Sequence, residues 1–147
     1  MNAADGFFVD SNVLLYSVDP AEPWKRVRAT EWLAALWATG RGRLSWQVLD
    51  EFYWNAVRKM RLKEVAAREI VEDMSHWRPV DSSLGLIQQA GHWMDAAQLS
   101  YWDALILAAA QRSGAVYLLS EDFHSERRYQ DVQVLNPFAQ TPAEFGL

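Results

Sequence analysis

A chain of 147 residues and 16.9 kDa is expected to form one domain, residues 1–147, large enough to bury roughly 68–70% of the surface exposed when unfolded. Half of the residues are hydrophobic, 22% are charged and none is cysteine, which excludes disorder, disulfides and thiolate metal sites and makes a reducing cytoplasm the default compartment. With 14 basic against 19 acidic side chains, the net charge of −5 argues against broad electrostatic coating of a nucleic acid, so any such contact must use local basic patches. The N-terminal Met1-Asn2-Ala3-Ala4-Asp5 lacks the positive charge and apolar stretch of a signal peptide. No apolar run approaches the ~18 residues of a membrane span.

The chain opens with Gly6-Phe7-Phe8-Val9-Asp10, an apolar run that ends in a carboxylate and reads as a strand, and Ser11-Asn12 then offers capping groups to a helical turn over 13–16. After the break at Asp19-Pro20 and Pro23, helical spacing over 24–39 is closed by Gly40. Leu44 marks a brief strand, Ser45 caps a helix over 46–60, and 61–76 carries another helical pattern. Arg78-Pro79-Val80 is extended, with Asp81 as the cap of a helix over 84–93. Ser100 opens the most apolar helix, which reaches Arg112 and stops at Ser113-Gly114. Ala115 to Leu119 is a continuous apolar run of the kind found in buried strands, and Val132 to Leu135 is the last strand before Asn136-Pro137. Strands separated by helices imply right-handed crossovers and a three-layer α/β/α sandwich around a small parallel sheet. Ligands in such sheets sit beyond the carboxyl ends of the strands, where strand order reverses. Asp10 and Asp122 both fall just past such ends.

Four dispersed acids stand out: Asp10, Glu51, Asp103 and Asp122. Each also has a plain structural role. Asp10 suits a helix cap, and Asp122 suits the polar turn after a strand, where the neighbouring Glu121 competes with it. Glu51 lies off the apolar face of its helix and reads alone as a solvated acid. Ser100-Tyr101-Trp102-Asp103 fits a capping box. Yet Asp103 leads a stripe of Ile106, Leu107 and Ala110 that should face the core, and burying an ionised carboxylate without a partner is costly. A hard divalent cation supplies that partner while leaving the cap intact.

Taken in order, several stretches resemble the PIN domains, and among them the VapC-type ribonuclease toxins of bacterial toxin–antitoxin modules. These are Phe8-Val9-Asp10-Ser11-Asn12-Val13-Leu14-Leu15-Tyr16, Ser45-Trp46-Gln47-Val48-Leu49-Asp50-Glu51-Phe52-Tyr53, Trp102-Asp103-Ala104-Leu105-Ile106, Leu119-Ser120-Glu121-Asp122-Phe123 and the closing Asn136-Pro137-Phe138. No single motif is specific; their order and spacing are. The resemblance implies a PIN-like fold and an acidic site for Mg²⁺, with Mn²⁺ as substitute, built from Asp10, Glu51, Asp103 and Asp122 as catalytic and metal-holding residues. Asn12 and Ser120 match accessory polar positions. It further implies an RNA substrate cut at phosphodiester bonds, a cognate antitoxin and a homodimer.

The remaining residues are less directive. His76, His92 and His124 lack metal-ligand spacing, and no glycine-rich phosphate loop or nucleophile elbow is present. Basic residues gather at Lys25-Arg26/Arg28, Arg41/Arg43, Arg58-Lys59/Arg61/Lys63 and Arg127-Arg128, where solvated helix faces compete with phosphate contacts. Trp24, Trp32 and Trp37 crowd one early helical region, and not all three fit in a small core. Alternatives to a nuclease stay open: a non-catalytic interaction module with a vestigial acidic site, or a receiver-like phosphoacceptor switch. The switch lacks its lysine, because Asn136 follows the last strand, and a dehalogenase-type phosphatase lacks its second acid, because Asn12 stands there.

Overall fold

Apolar runs too short and too β-branched or aromatic for helices make the centre of the sheet: β1 (Gly6–Val9), β3 (Ala115–Leu119) and β5 (Val132–Leu135). The computed structural model describes residues 5–147, so the reading of Met1 through Ala4 lies outside the described residues. Two further strands, β2 (Gly42–Arg43) and β4 (Arg128–Tyr129), complete a sheet of order β2-β1-β3-β5-β4 in which all pairings are parallel except β4 with β5. Six helices surround it: α1 (Ser11–Tyr16), α2 (Pro23–Thr39), α3 (Trp46–Arg58), α4 (Glu64–Met74), α5 (Leu84–Ala97) and α6 (Tyr101–Arg112). The expected three-layer α/β/α sandwich is the fold observed.

Side chains alternate across a strand, so Phe7 and Phe8 face opposite layers and both are fully buried. Phe7 meets Trp32 of α2, Tyr117 and Phe145 on one face. Helix α6 is buried from Ala104 through Ala110, which fits its position between β3 and α5. Trp32 stays inside because its indole N–H donates to the Pro137 and Gln140 carbonyls at 2.9 and 3.1 Å. Its helix neighbours Trp24 and Trp37 are half exposed.

Several boundaries differ from the expectations. The brief strand is Gly42–Arg43, one residue before Leu44, because the backbone at Leu44 and Trp46 bonds instead to Val80. Arg61 adopts a left-handed φ of 55°, which ends the α3 region and delays α4 to Glu64. Helix α5 is capped by Ser83, whose hydroxyl accepts from the Leu86 N–H at 3.1 Å, and not by Asp81. It also runs on to Ala97.

Candidate active site

Helix α1 starts at the end of β1, and Asp10 is its cap: Oδ1 accepts from the Ser11 N–H at 2.7 Å. Its other oxygen, Oδ2, accepts from the Ser120 hydroxyl at 2.8 Å. Ser120 directly follows β3, the strand beside β1, while β2 lies on the other side of β1. Strand order therefore reverses between Asp10 and Ser120, at the location where open sheets place ligands.

From this pair the network spreads outward. The fully buried Ser120 hydroxyl accepts from the Asp122 N–H at 3.1 Å and from Asn12 Nδ2 at 3.3 Å, and the same Nδ2 donates to Asp122 Oδ2 at 3.0 Å. On the α3 side, the Ser11 hydroxyl donates to Glu51 Oε2 at 2.7 Å and Gln47 Nε2 donates to Glu51 Oε1 at 2.8 Å. Gln47 Nε2 also reaches the Trp102 carbonyl at 3.3 Å, which ties α3 to the first turn of α6. There Ser100 caps the helix by accepting from the Asp103 N–H at 3.2 Å, so half of the expected capping box is present.

Charge places the four acids in one field. Burial pushes the Asp10 carboxyl up to about 7, with Glu51 and Asp122 adding to the rise and the bonds from Ser120 and Ser11 opposing it. Asp103 is also raised, first by burial and then by Asp122 and Glu51, against a lowering contact with Ser100. Glu51 and Asp122 are thus neighbours of both. None of the four takes part in the ion pairs Lys25–Glu121, Arg28–Glu31 and Arg68–Glu64 found among the described residues.

The donor set is suited to a hard cation: oxygen only, one carboxylate almost wholly buried without a positive partner, and Asn12 Oδ1 left buried with no hydrogen bond. Among the described residues no three His, Asp or Glu converge closely enough to hold an ion. Ser11 and Gln47 hold Glu51, and Asn12 holds Asp122. Two cavities flank the acids, one of about 590 Å³ touching Glu51 and one of about 280 Å³ touching Asn12, Asp122 and Lys59.

Other expected contributors are committed elsewhere. Glu121 pairs with Lys25 at 2.9 Å, and Lys25 lies over the Tyr16 and Phe138 rings. Arg41 is buried, donates to the Asp5 carbonyl at 2.7 Å and covers Phe7, which makes it a packing residue and removes it from the phosphate candidates. Two residues of the network escaped the sequence reading. Gln47 had a signal, since it precedes Glu51 by one helical turn. Ser11 had none, because its partner lies 40 residues away.

Fold and site together define an open α/β protein with an oxygen-lined acidic site at its strand-order reversal. The chain belongs to the PIN domain family, whose model matches residues 7–130, from β1 through β4. PIN domains are generally nucleases, so membership supports a hydrolase acting on nucleic acid. Comparison with curated proteins gives no match. Among the described residues no helix is long and apolar enough to cross a membrane.

Proposed function

We propose that this chain is a Mg²⁺-dependent endoribonuclease, with Mn²⁺ as substitute, that cuts phosphodiester bonds of single-stranded or loop RNA and serves as the toxin of a VapC-type toxin–antitoxin pair. The observation that carries the reading is Asp10: a buried carboxylate with no positive partner, at the strand-order reversal, in the field of two other acids. Asp10 and Asp103 would hold the ion, and Glu51 and Asp122 would complete its acidic surroundings. When bound, the ion supplies a water of lowered pKa and neutralises charge developing on phosphate oxygens.

The protein's own groups set the stage for that chemistry. Ser120 fixes the Asp10 carboxylate, Asn12 orients Asp122, and Ser11 with Gln47 orients Glu51. Lys59, beside Asp122 in the smaller cavity, offers a positive charge to a neighbouring phosphate. The half-exposed rings of Trp24, Trp37 and Trp54 support a homodimer contact and an antitoxin-binding surface.

The test is cleavage of single-stranded RNA by purified protein with and without Mg²⁺, with Asp10→Asn and Asp103→Asn as controls. Loss of cleavage in both variants and under chelation is expected; intact RNA across a transcriptome-wide survey of new ends would sink the proposal. A non-catalytic module is the second reading, favoured by two observations: Asp10 already caps α1, and the oxygens of Glu51 are already bonded. Plain caps predict no Mg²⁺-dependent gain in thermal stability.

A further inference from the structure

The larger of these two cavities, about 590 Å³, falls within the roughly 300–1,000 Å³ of ordinary ligand sites, yet the reading above uses only its Gln47 and Glu51. Its wall runs from Glu51 across Asp50 and Ser82 to Leu86, Ile87 and Trp102. Two chemical features separate it from a phosphate site. No lysine, arginine or histidine lines it, while two carboxylates do, so an anionic group is repelled and a neutral one is not. Its rim holds a large flat ring: Trp102 is 63% exposed although it lies on the first turn of the helix that carries Asp103. Ile87, 47% exposed on α5, contributes an apolar surface to the same cavity.

Polar groups are present where a planar heterocycle needs them. Asp50 belongs to no ion pair among the described residues, which leaves its carboxylate available to accept from an exocyclic amine. The Ser82 hydroxyl, also in the wall, offers a donor or an acceptor. Gln47 joins the cavity to the acids, since its Nε2 touches both Glu51 Oε1 and the Trp102 carbonyl.

We infer that this cavity receives an unpaired nucleobase of the substrate strand, stacked on Trp102 and met by Asp50, next to the phosphodiester at the acidic site. The inference rests on the nuclease reading above for its substrate and adds the element that favours unstacked strands: a base stacked in a helix has no free face for Trp102, and its Watson–Crick edge is taken by its partner. Trp102 is in this scheme a positioning residue. It holds the strand, and it takes no part in the acidic site itself.

Binding decides the matter independently of cleavage. In an Asp103→Asn background, affinity is measured by fluorescence anisotropy for short single-stranded RNAs of uniform A, C or U sequence and for a wholly abasic ribose–phosphate chain of equal length. Trp102→Ala is expected to weaken the base-bearing chains roughly 5- to 100-fold and to leave the abasic chain unchanged, with Trp102→Phe restoring most of the loss. No loss with the base-bearing chains overturns the inference, and so does an equal loss with the abasic chain. Hydrogen exchange provides the second readout, with protection of 82–87 and 101–105 expected from the RNA. Protection of these segments by a co-purifying antitoxin peptide and not by RNA assigns the cavity to a protein and also overturns it. If wild-type protein fails to cleave but Trp102→Ala still discriminates the two kinds of chain, the nuclease reading falls and the base pocket stands.

Discussion

Replacing Asp10 by Asn removes a charge that the fold resists. Burial holds the Asp10 carboxyl near 7 against an ordinary value of 3.8, so between these limits the native state keeps a proton that the unfolded chain has released. Stability contributed by this group is therefore complete below 3.8, declines as pH rises, and is lost once pH has passed about 7. At about 1.4 kcal/mol per pH unit, the span from 3.8 to about 7 corresponds to about 4 kcal/mol. Asn carries no charge at any pH and lacks this slope, and the bond from Ser120 is already contained in the raised value. Without divalent ions, Asp10→Asn is thus expected to exceed the wild type by about 4 kcal/mol near pH 8 and to match it near pH 4. Urea unfolding followed by tryptophan fluorescence across that range, in chelator, reads the difference directly. Addition of Mg²⁺ at about a hundred times its dissociation constant should then raise the wild type by about 2.7 kcal/mol and the variant by much less. Parallel stability curves for the two proteins from pH 4 to pH 8 would show that Asp10 is not the strained group described here.

Three other outcomes are expected. Ser120→Ala removes the donor to Asp10 and the acceptor for Asp122 and Asn12. It should cost about 1–3 kcal/mol in urea unfolding, and because the Ser120 bond lowers the Asp10 pKa, it should move the acid limb of the pH–rate profile to higher pH. Gln47→Ala frees Glu51 on one side, and kcat/KM measured across a Mg²⁺ titration should drop by roughly 10- to 100-fold with the fold intact by circular dichroism. Gly42→Ala places a methyl group into the Trp77 ring, which packs directly on that glycine. A loss of about 1–3 kcal/mol at an unchanged denaturant slope checks that packing.

The sequence makes the central strands and the long helices legible, because their apolar runs and helical periodicity leave few alternatives. β2 is misplaced by one residue and β4 is missed for the same physical reason: two residues carry no periodicity, and Arg128–Tyr129 becomes a strand only by pairing with Gln133 and Val132. The choice of cap for α5 was hidden among Asp81, Ser82 and Ser83, all competent by chemistry. Pairing of Val80 with Leu44 and Trp46 keeps the chain extended there and leaves Ser83 to reach Leu86. At the site, Asp10 and Asp122 were visible from their places after strands, and Asp103 from the apolar stripe behind it. The joining groups were less so. Ser11 gains its meaning only when α3 brings Glu51 alongside α1, a contact that no local pattern encodes.

The outer borders of the sheet carry one more implication. Each is a strand of two residues, Gly42–Arg43 on one side and Arg128–Tyr129 on the other, each with an arginine, and beyond Leu44 the first border is sealed by Val80. A foreign polypeptide searching for a ladder to extend finds scarcely one turn of the pleat and a positive charge on it. Strand addition at these two borders is therefore disfavoured, and the uncovered indoles lie instead on helix surfaces.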